Sequence, residues 1–194
     1  MQVNKKIQKR IFIVGCPRSG TTLLQSILLS HPRIHSFPET HFFSYAFPTS
    51  KIKSFFSWPA LNVQRSLKQF LNSINRYDLY KKYKISLFTN KYAEPFIRML
   101  DDITIKSKKD IWIEKTPKHL HYIKEINKYV PNAIYIHIIR DGKENIASLY
   151  HARNTYESWS KGRPVKGKSL ERCIQRWIKD INISKSYLGK KNHF

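Results

Sequence analysis

A glycine-punctuated loop between a short apolar run and a helical repeat constrains this chain more than any other feature. Residues 11 to 14 (Ile-Phe-Ile-Val) form the run and residues 15 to 20 the loop, after which Leu23, Leu24, Ile27 and Leu28 recur at helical spacing until His31-Pro32 stops them. This reads as strand, loop, helix. Ile111-Trp112-Ile113 is a second short strand, followed by Leu120, Ile123, Ile126 and Val130 on one helical face, with Pro131 as the stop. Residues 133 to 139 give the strongest strand, continuous as expected of one buried on both faces of a parallel sheet. Arg140-Asp141-Gly142 then turns into a helix through Ile146, Leu149 and Tyr150. Alternating strands and helices specify an α/β fold with a parallel sheet, and 194 residues make one domain.

Residues 42 to 110 interrupt the alternation. They are rich in aromatics, Lys and Asn, with helices expected near 65 to 74 and 94 to 103, and they read as a helical cap over the strand ends. Residues 154 to 168 read as an exposed loop. Ser169 is placed to cap a last helix whose apolar face is Leu170, Cys173, Ile174, Trp177, Ile178 and Ile181.

Charge narrows the partners. The 36 Lys and Arg against 13 Asp and Glu leave a formal charge of +23, yet 41% of residues are hydrophobic, so the chain is not a disordered polybasic tail. Three partner classes suit such an excess: nucleic acid, an anionic membrane surface, or a small ligand dense in phosphate or sulfate. Apolar runs fall far short of the ~20 residues that span a bilayer, and no secretory signal pattern opens the chain, so a soluble, cytoplasmic protein is expected. Cys16 and Cys173 show no metal-ligand or CxxC spacing, which argues against a disulfide framework or structural metal and fits a reducing compartment. No acid precedes Glu39 and the next is Asp78, so Glu39 is a lone carboxylate in a basic stretch.

Two motifs carry chemistry. Gly15-Cys-Pro-Arg-Ser-Gly-Thr-Thr22 follows a strand and opens a helix, where backbone N–H groups and the positive helix end make an anion cradle. Gly15 and Gly20 are in register with the phosphate-binding pattern GxxxxGK[ST], but Thr21 stands where the lysine would be, which lowers the case for an NTP-dependent kinase. Arg140, at a strand end, and Ser148, eight residues on, could face one oxyanion in the crevice where open α/β sheets bind ligands.

Taken in order, Gly15-x-Pro-Arg-Ser-Gly-Thr-Thr22, His31-Pro32, Pro38-Glu-Thr-His-Phe-Phe43, Glu114-Lys-Thr-Pro117 and Arg140-Asp…Ser148 resemble a sulfotransferase that uses 3′-phosphoadenosine 5′-phosphosulfate (PAPS). The likeness is strongest to the branch containing the tyrosylprotein and many bacterial enzymes. It implies a P-loop-type three-layer fold, with the sheet between helices. It implies that Arg18, Ser19, Gly20, Thr21 and Thr22 hold the 5′-phosphosulfate and that Arg140 and Ser148 hold the 3′-phosphate. It also implies that Glu39 is the general base and that Lys115 lies near the bridging oxygen where charge builds; His41, two residues after Glu39, is the fallback base. No metal is implied, because a sulfuryl group carries less charge than a γ-phosphoryl.

The cytosolic small-molecule branch has a histidine two residues after its lysine. Here that position is Pro117, which favours Glu39, while His119 is expected on a helix surface. The acceptor is expected to be a small-molecule, carbohydrate or peptide hydroxyl, or an amine, shaped by residues 42 to 110 and 154 to 168. Phe42, Phe43, Tyr45, Tyr156 and Trp159 suit a sugar ring or an aromatic alcohol. Family members usually continue into a further strand and a basic loop, so this chain reads as a C-terminally truncated domain, and a catalytically impaired fragment is one alternative. A basic nucleic-acid-binding module is another, disfavoured by dispersed charge and the lack of any reading element. The oligomeric state is silent.

Overall fold

A computed structural model of the chain describes residues 6–47, 58–83, 92–155 and 170–194. The order is β1 (Lys9–Gly15), α1 (Thr21–Leu29), β2 (Ile34–Phe37), α2 (Phe42–Ala46), α3 (Trp58–Ser73), α4 (Asp78–Lys82), α5 (Ala93–Lys106) and β3 (Ile111–Lys115). A 3-10 turn (Pro117–Tyr122), α6 (Ile123–Tyr129), β4 (Ile134–Ile138), α7 (Gly142–Thr155) and α8 (Leu170–Lys185) follow. The strands form one sheet in the order β2-β3-β1-β4 with every pairing parallel. The expected α/β fold is therefore present, and β1 sits between its neighbours β3 and β4, with Ile13 facing both Lys115 and Ile136 in register.

Alternation along the strands gives the sheet two apolar faces. Phe12, Trp112 and Tyr135 point to one face, where Phe12 lies edge-on to Trp112 at 5.3 Å and stacked on Tyr135 at 5.7 Å. Ile11, Ile13 and Ile113 point to the other and meet Leu24 and Leu28 of α1. The described part of the 42 to 110 insertion supplies α2 to α5, which share the first core through Phe42, Leu67, Leu71, Phe96 and Leu100. Phe42 and Phe43, expected to shape an acceptor pocket, are instead buried in that core, and Phe42 stacks on Phe96 at 3.9 Å. Tyr156, Trp159 and Ser169 lie outside the described residues.

Two further expectations are corrected. Only Tyr135 of β4 is buried, and Ile134, Ile136 and Ile138 are half-buried because this strand is at the sheet's edge. The segment after Pro117 winds first as a 3-10 turn, which rotates His119 inward; it is fully buried rather than on a helix surface.

The open edge of β4 is covered by the last described residues. Tyr135 N–H donates to the Asn192 carbonyl (2.9 Å), His137 N–H to the Phe194 carbonyl (2.7 Å), and Phe194 N–H to the Tyr135 carbonyl (3.0 Å). The His137 and His193 rings meet Nε2 to Nδ1 at 3.0 Å, and Tyr187 stacks beside both. Burial, aided by His193, lowers the His137 pKa to about 4. Its folded value lies below the ordinary ~6.5 of an unfolded chain, so the neutral ring's stabilisation is complete above that pH and is lost as pH falls towards 4. The melting temperature therefore drops between pH 6.5 and 4.5. A His137→Phe variant, read by circular dichroism melts across that range, shows a shallower drop.

Candidate active site

The topology brings four loops to one place. Each strand is parallel to its neighbours, so the carboxyl ends of β1, β2, β3 and β4 open on one edge of the sheet, and the crevice lies where the strand order reverses about β1. Arg18 follows β1, Glu39 follows β2, Lys115 ends β3 and Arg140 follows β4. Arg18, Gly20, Thr21, Thr22, Glu39, Arg140 and Ser148 line a single cavity of about 600 Å³. His41, Lys118 and Arg176 line it too, so among the described residues Glu39 is the only carboxylate in the lining, against four cationic side chains.

The loop after β1 is held by its backbone. Gly15 has φ +151°, and a Cβ there would stand 2.6 Å from the Ile138 carbonyl oxygen of β4, so no larger residue fits. Arg18 takes a left-handed conformation (φ 71°), and Ser19 N–H donates to the Cys16 carbonyl at 3.3 Å. That turn aims the Arg18 side chain outward and rotates Ser19 inward, where its hydroxyl is buried with no partner among the described residues. Ser19 is thus the one loop residue of the predicted set that does not line the crevice. Gly20 then caps α1 with φ 99°, with no side-chain cap and no acid in the first turn. The first-turn N–H groups are left for an anion, and the helix dipole favours one.

Beneath the loop, Asp180 of α8 is buried and accepts from His121 Nε2 at 2.7 Å, with Arg176 Nε 3.7 Å away. Burial, then the Asp180 charge, pushes the Cys16 thiol up to about 12, so it is a packed S–H group and not a nucleophile.

The second anion element is equally local in origin. Asp141 Oδ1 accepts from the N–H groups of Lys143 (2.9 Å) and Glu144 (3.3 Å) at the start of α7. Arg140 pairs through Nε and Nη2 with Glu144 Oε2 (2.9 and 2.8 Å), one turn on, and its Nη1 donates to the Arg18 carbonyl at 3.2 Å. Arg18 Nε donates to Ser148 Oγ at 3.1 Å. Trp177 of α8 closes this corner, with Nε1 donating to the Arg140 carbonyl at 3.3 Å.

Glu39 and Lys115 meet directly. Lys115 Nζ lies 2.5 Å from Glu39 Oε1, with the lysine side chain 8% exposed and the carboxylate 36%. His41 Nε2 stands 3.2 Å from Glu39 Oε2. Burial lowers the His41 pKa against the opposing pull of Glu39, which leaves the ring neutral at pH 7. Lys118, Arg176 and Asp180 were not read from the sequence. Arg176 and Asp180 could have been, as charged residues a turn apart on a helix whose other face is apolar.

Residues 10–188, nearly the whole chain, match the model of the Sulfotransferase family. The chain belongs to the sulfotransferase family. It is 24% identical over 177 residues to a protein-tyrosine sulfotransferase of Drosophila melanogaster, covering 89% of this chain and 30% of that protein. To the nodulation protein NoeE of Sinorhizobium fredii it is 26% identical over 138 residues, covering 71% and 30%. The sulfotransferase domain of the curacin biosynthetic pathway shares the fold with a TM-score of 0.62 at 19% identity, covering 97% of this chain and 66% of that one. This sulfotransferase chain thus spans about a third of the length of the two curated relatives it is compared with.

Proposed function

We propose that the chain transfers a sulfuryl group from PAPS to an acceptor hydroxyl or amine. The observation that carries this reading is the meeting of Arg18, Glu39 and Arg140, each from the end of a different strand, around one crevice, with the buried Lys115 at the end of the fourth strand paired to Glu39. The residues present suit the donor. An uncapped helix N-terminus beside Arg18 fits a 5′-phosphosulfate, and Arg140 and Ser148, which line the same cavity, fit a 3′-phosphate. A cavity of about 600 Å³ is of the size that holds a nucleotide.

The donor supplies an electrophilic sulfuryl group and a good leaving group, so the protein's share is orientation and charge. Arg18, Thr21, Thr22 and the first-turn N–H groups of α1 hold the 5′ end. Glu39 accepts the proton of the acceptor hydroxyl as its oxygen attacks. Lys115, paired with Glu39, would supply its ammonium to the oxygen on which negative charge grows, and a preorganised cation there lowers the barrier. Because the Drosophila relative is a protein-tyrosine sulfotransferase, a tyrosine-bearing peptide is the first acceptor to try, followed by a phenol and an alkyl glycoside.

Calorimetry with 3′,5′-ADP tests the reading. The expected affinity is micromolar or better, about −8 kcal/mol. Arg140→Ala weakens it by about 10- to 100-fold, the loss of a charge-assisted contact. No binding at moderate salt, or equal binding of 5′-AMP, overturns the proposal.

A further inference from the structure

A buried polar cluster lies behind the crevice. Glu114 is fully buried and its carboxylate is saturated: Oε1 accepts from Thr40 N–H (3.2 Å), Thr40 Oγ1 (2.9 Å) and Thr116 Oγ1 (2.5 Å), and Oε2 meets His119 Nδ1 at 2.8 Å. Burial alone would raise its pKa, but His119 and the donated hydrogen bonds outweigh that and lower it. His119 Nε2 has no partner among the described residues, and the ring packs edge-on against Phe43 at 5.4 Å. The proton therefore belongs on Nδ1, which donates to the carboxylate.

The two threonines relay this anchor into the loop after β2. Thr116 Oγ1 donates to Glu114 and accepts from His41 N–H at 3.3 Å, while Thr40 Oγ1 donates to Glu114 and accepts from Phe42 N–H at 3.3 Å. Ser66 Oγ of α3 donates to the Thr40 carbonyl at 2.9 Å. Consecutive backbone groups from Thr40 to Phe42 are thus fixed, and His41 is held at φ 52°, in a region a non-glycine residue adopts at a cost. Adjacent residues of β3 point to opposite faces, so Glu114 grips the backbone of this loop while Lys115 grips the Glu39 carboxylate.

We propose that Glu114 is a positioning residue, which through Thr40 and Thr116 sets the loop 39 to 41 so that Glu39 faces the acceptor proton. This rests on the reading of Glu39 as the base. A carboxylate is required because four donors converge on it. An amide would turn an NH2 group either on the threonine donors or on His119, and the latter would force the His119 proton onto the unpartnered Nε2.

The test compares Glu114→Gln, Thr116→Val and Thr116→Ser, the last two differing in whether the hydroxyl survives. Turnover is measured with PAPS and whichever of the tyrosine peptide, phenol or alkyl glycoside reacts. Affinity for 3′,5′-ADP and amide hydrogen exchange at Thr40 and His41 are measured beside it. Glu114→Gln and Thr116→Val are expected to lower kcat by about 10- to 100-fold, the effect of a misplaced catalytic group. The affinity for 3′,5′-ADP stays within twofold, exchange at both amides quickens, and Thr116→Ser restores wild-type values.

Unchanged kcat per folded molecule in Thr116→Val, or 3′,5′-ADP affinity falling in step with kcat, overturns the proposal. If Glu114→Gln does not fold, the threonine pair decides. If Glu39→Gln retains full turnover, it is the assignment of the base that fails; unchanged amide exchange in Thr116→Val then separately overturns the anchoring of the loop.

Discussion

Glu39→Gln lowers kcat by about 10²- to 10⁴-fold, the usual worth of a positioned general base, and leaves 3′,5′-ADP affinity within about threefold. Glutamine keeps the shape and one acceptor oxygen, so Lys115 retains a hydrogen-bond partner, but the amide cannot take a proton. Among the described residues Glu39 is the only carboxylate lining the cavity, and it reaches the crevice half-exposed from a loop fixed behind it. His41 is the competing base. It is neutral at pH 7, lies 3.2 Å from Glu39, and its ring lines the same cavity. Steady-state kinetics on Glu39→Gln and His41→Gln separate the two. The expected order is a large loss in the first and less than about tenfold in the second, and the reverse order moves the base to His41.

Parts of the site were legible in the sequence for a topological reason. In a parallel α/β sheet the residues just after each strand arrive at one edge, so Arg18 and Arg140 could be placed together once residues 11 to 14 and 133 to 139 were read as strands. What could not be read depends on contacts far apart along the chain or on a single dihedral. Glu114 and Thr40 are 74 positions apart, and nothing in Glu114-Lys-Thr-Pro117 says that the glutamate turns to the backbone of the loop after β2 while the lysine turns to the Glu39 carboxylate. Ser19 belongs to the anion motif by spacing, but the positive φ of Arg18 rotates it beneath the loop.

The strand β2 was missed because Ile34-His-Ser-Phe37 has only two apolar residues out of step with alternation. It is held by β3 on one side and by Gln25 of α1, whose Nε2 lies 2.7 Å from Ser36 Oγ and donates to the Phe37 carbonyl at 2.8 Å. Phe42 and Phe43 were misread for the opposite reason. Aromatic residues next to a catalytic motif suit a binding site and a core equally well, and the helices of the insertion decide for the core.

Lys115→Met is expected to lower kcat by about 10²- to 10³-fold, the measured range for removing one preorganised donor from a developing charge. Methionine matches the buried stem of the lysine and removes only the ammonium. Glu39 is then released rather than stranded: at 36% exposure its carboxylate can be solvated, so the loss falls on catalysis more than on folding. The converse change is less forgiving. Glu39→Ala leaves an ammonium on a side chain that is 8% exposed without its partner, and an uncompensated buried charge destabilises. Thermal melts should therefore show Glu39→Ala losing more stability than Lys115→Met, although Lys115 is the more buried of the two. Kinetics of the double variant Glu39→Gln/Lys115→Met complete the test. If the ion pair works as one unit, from which the lysine leaves as charge builds, the double loss is much smaller than the product of the single losses. A multiplicative loss would mean that the two groups act independently, and that the 2.5 Å contact is a resting arrangement with no part in the transfer.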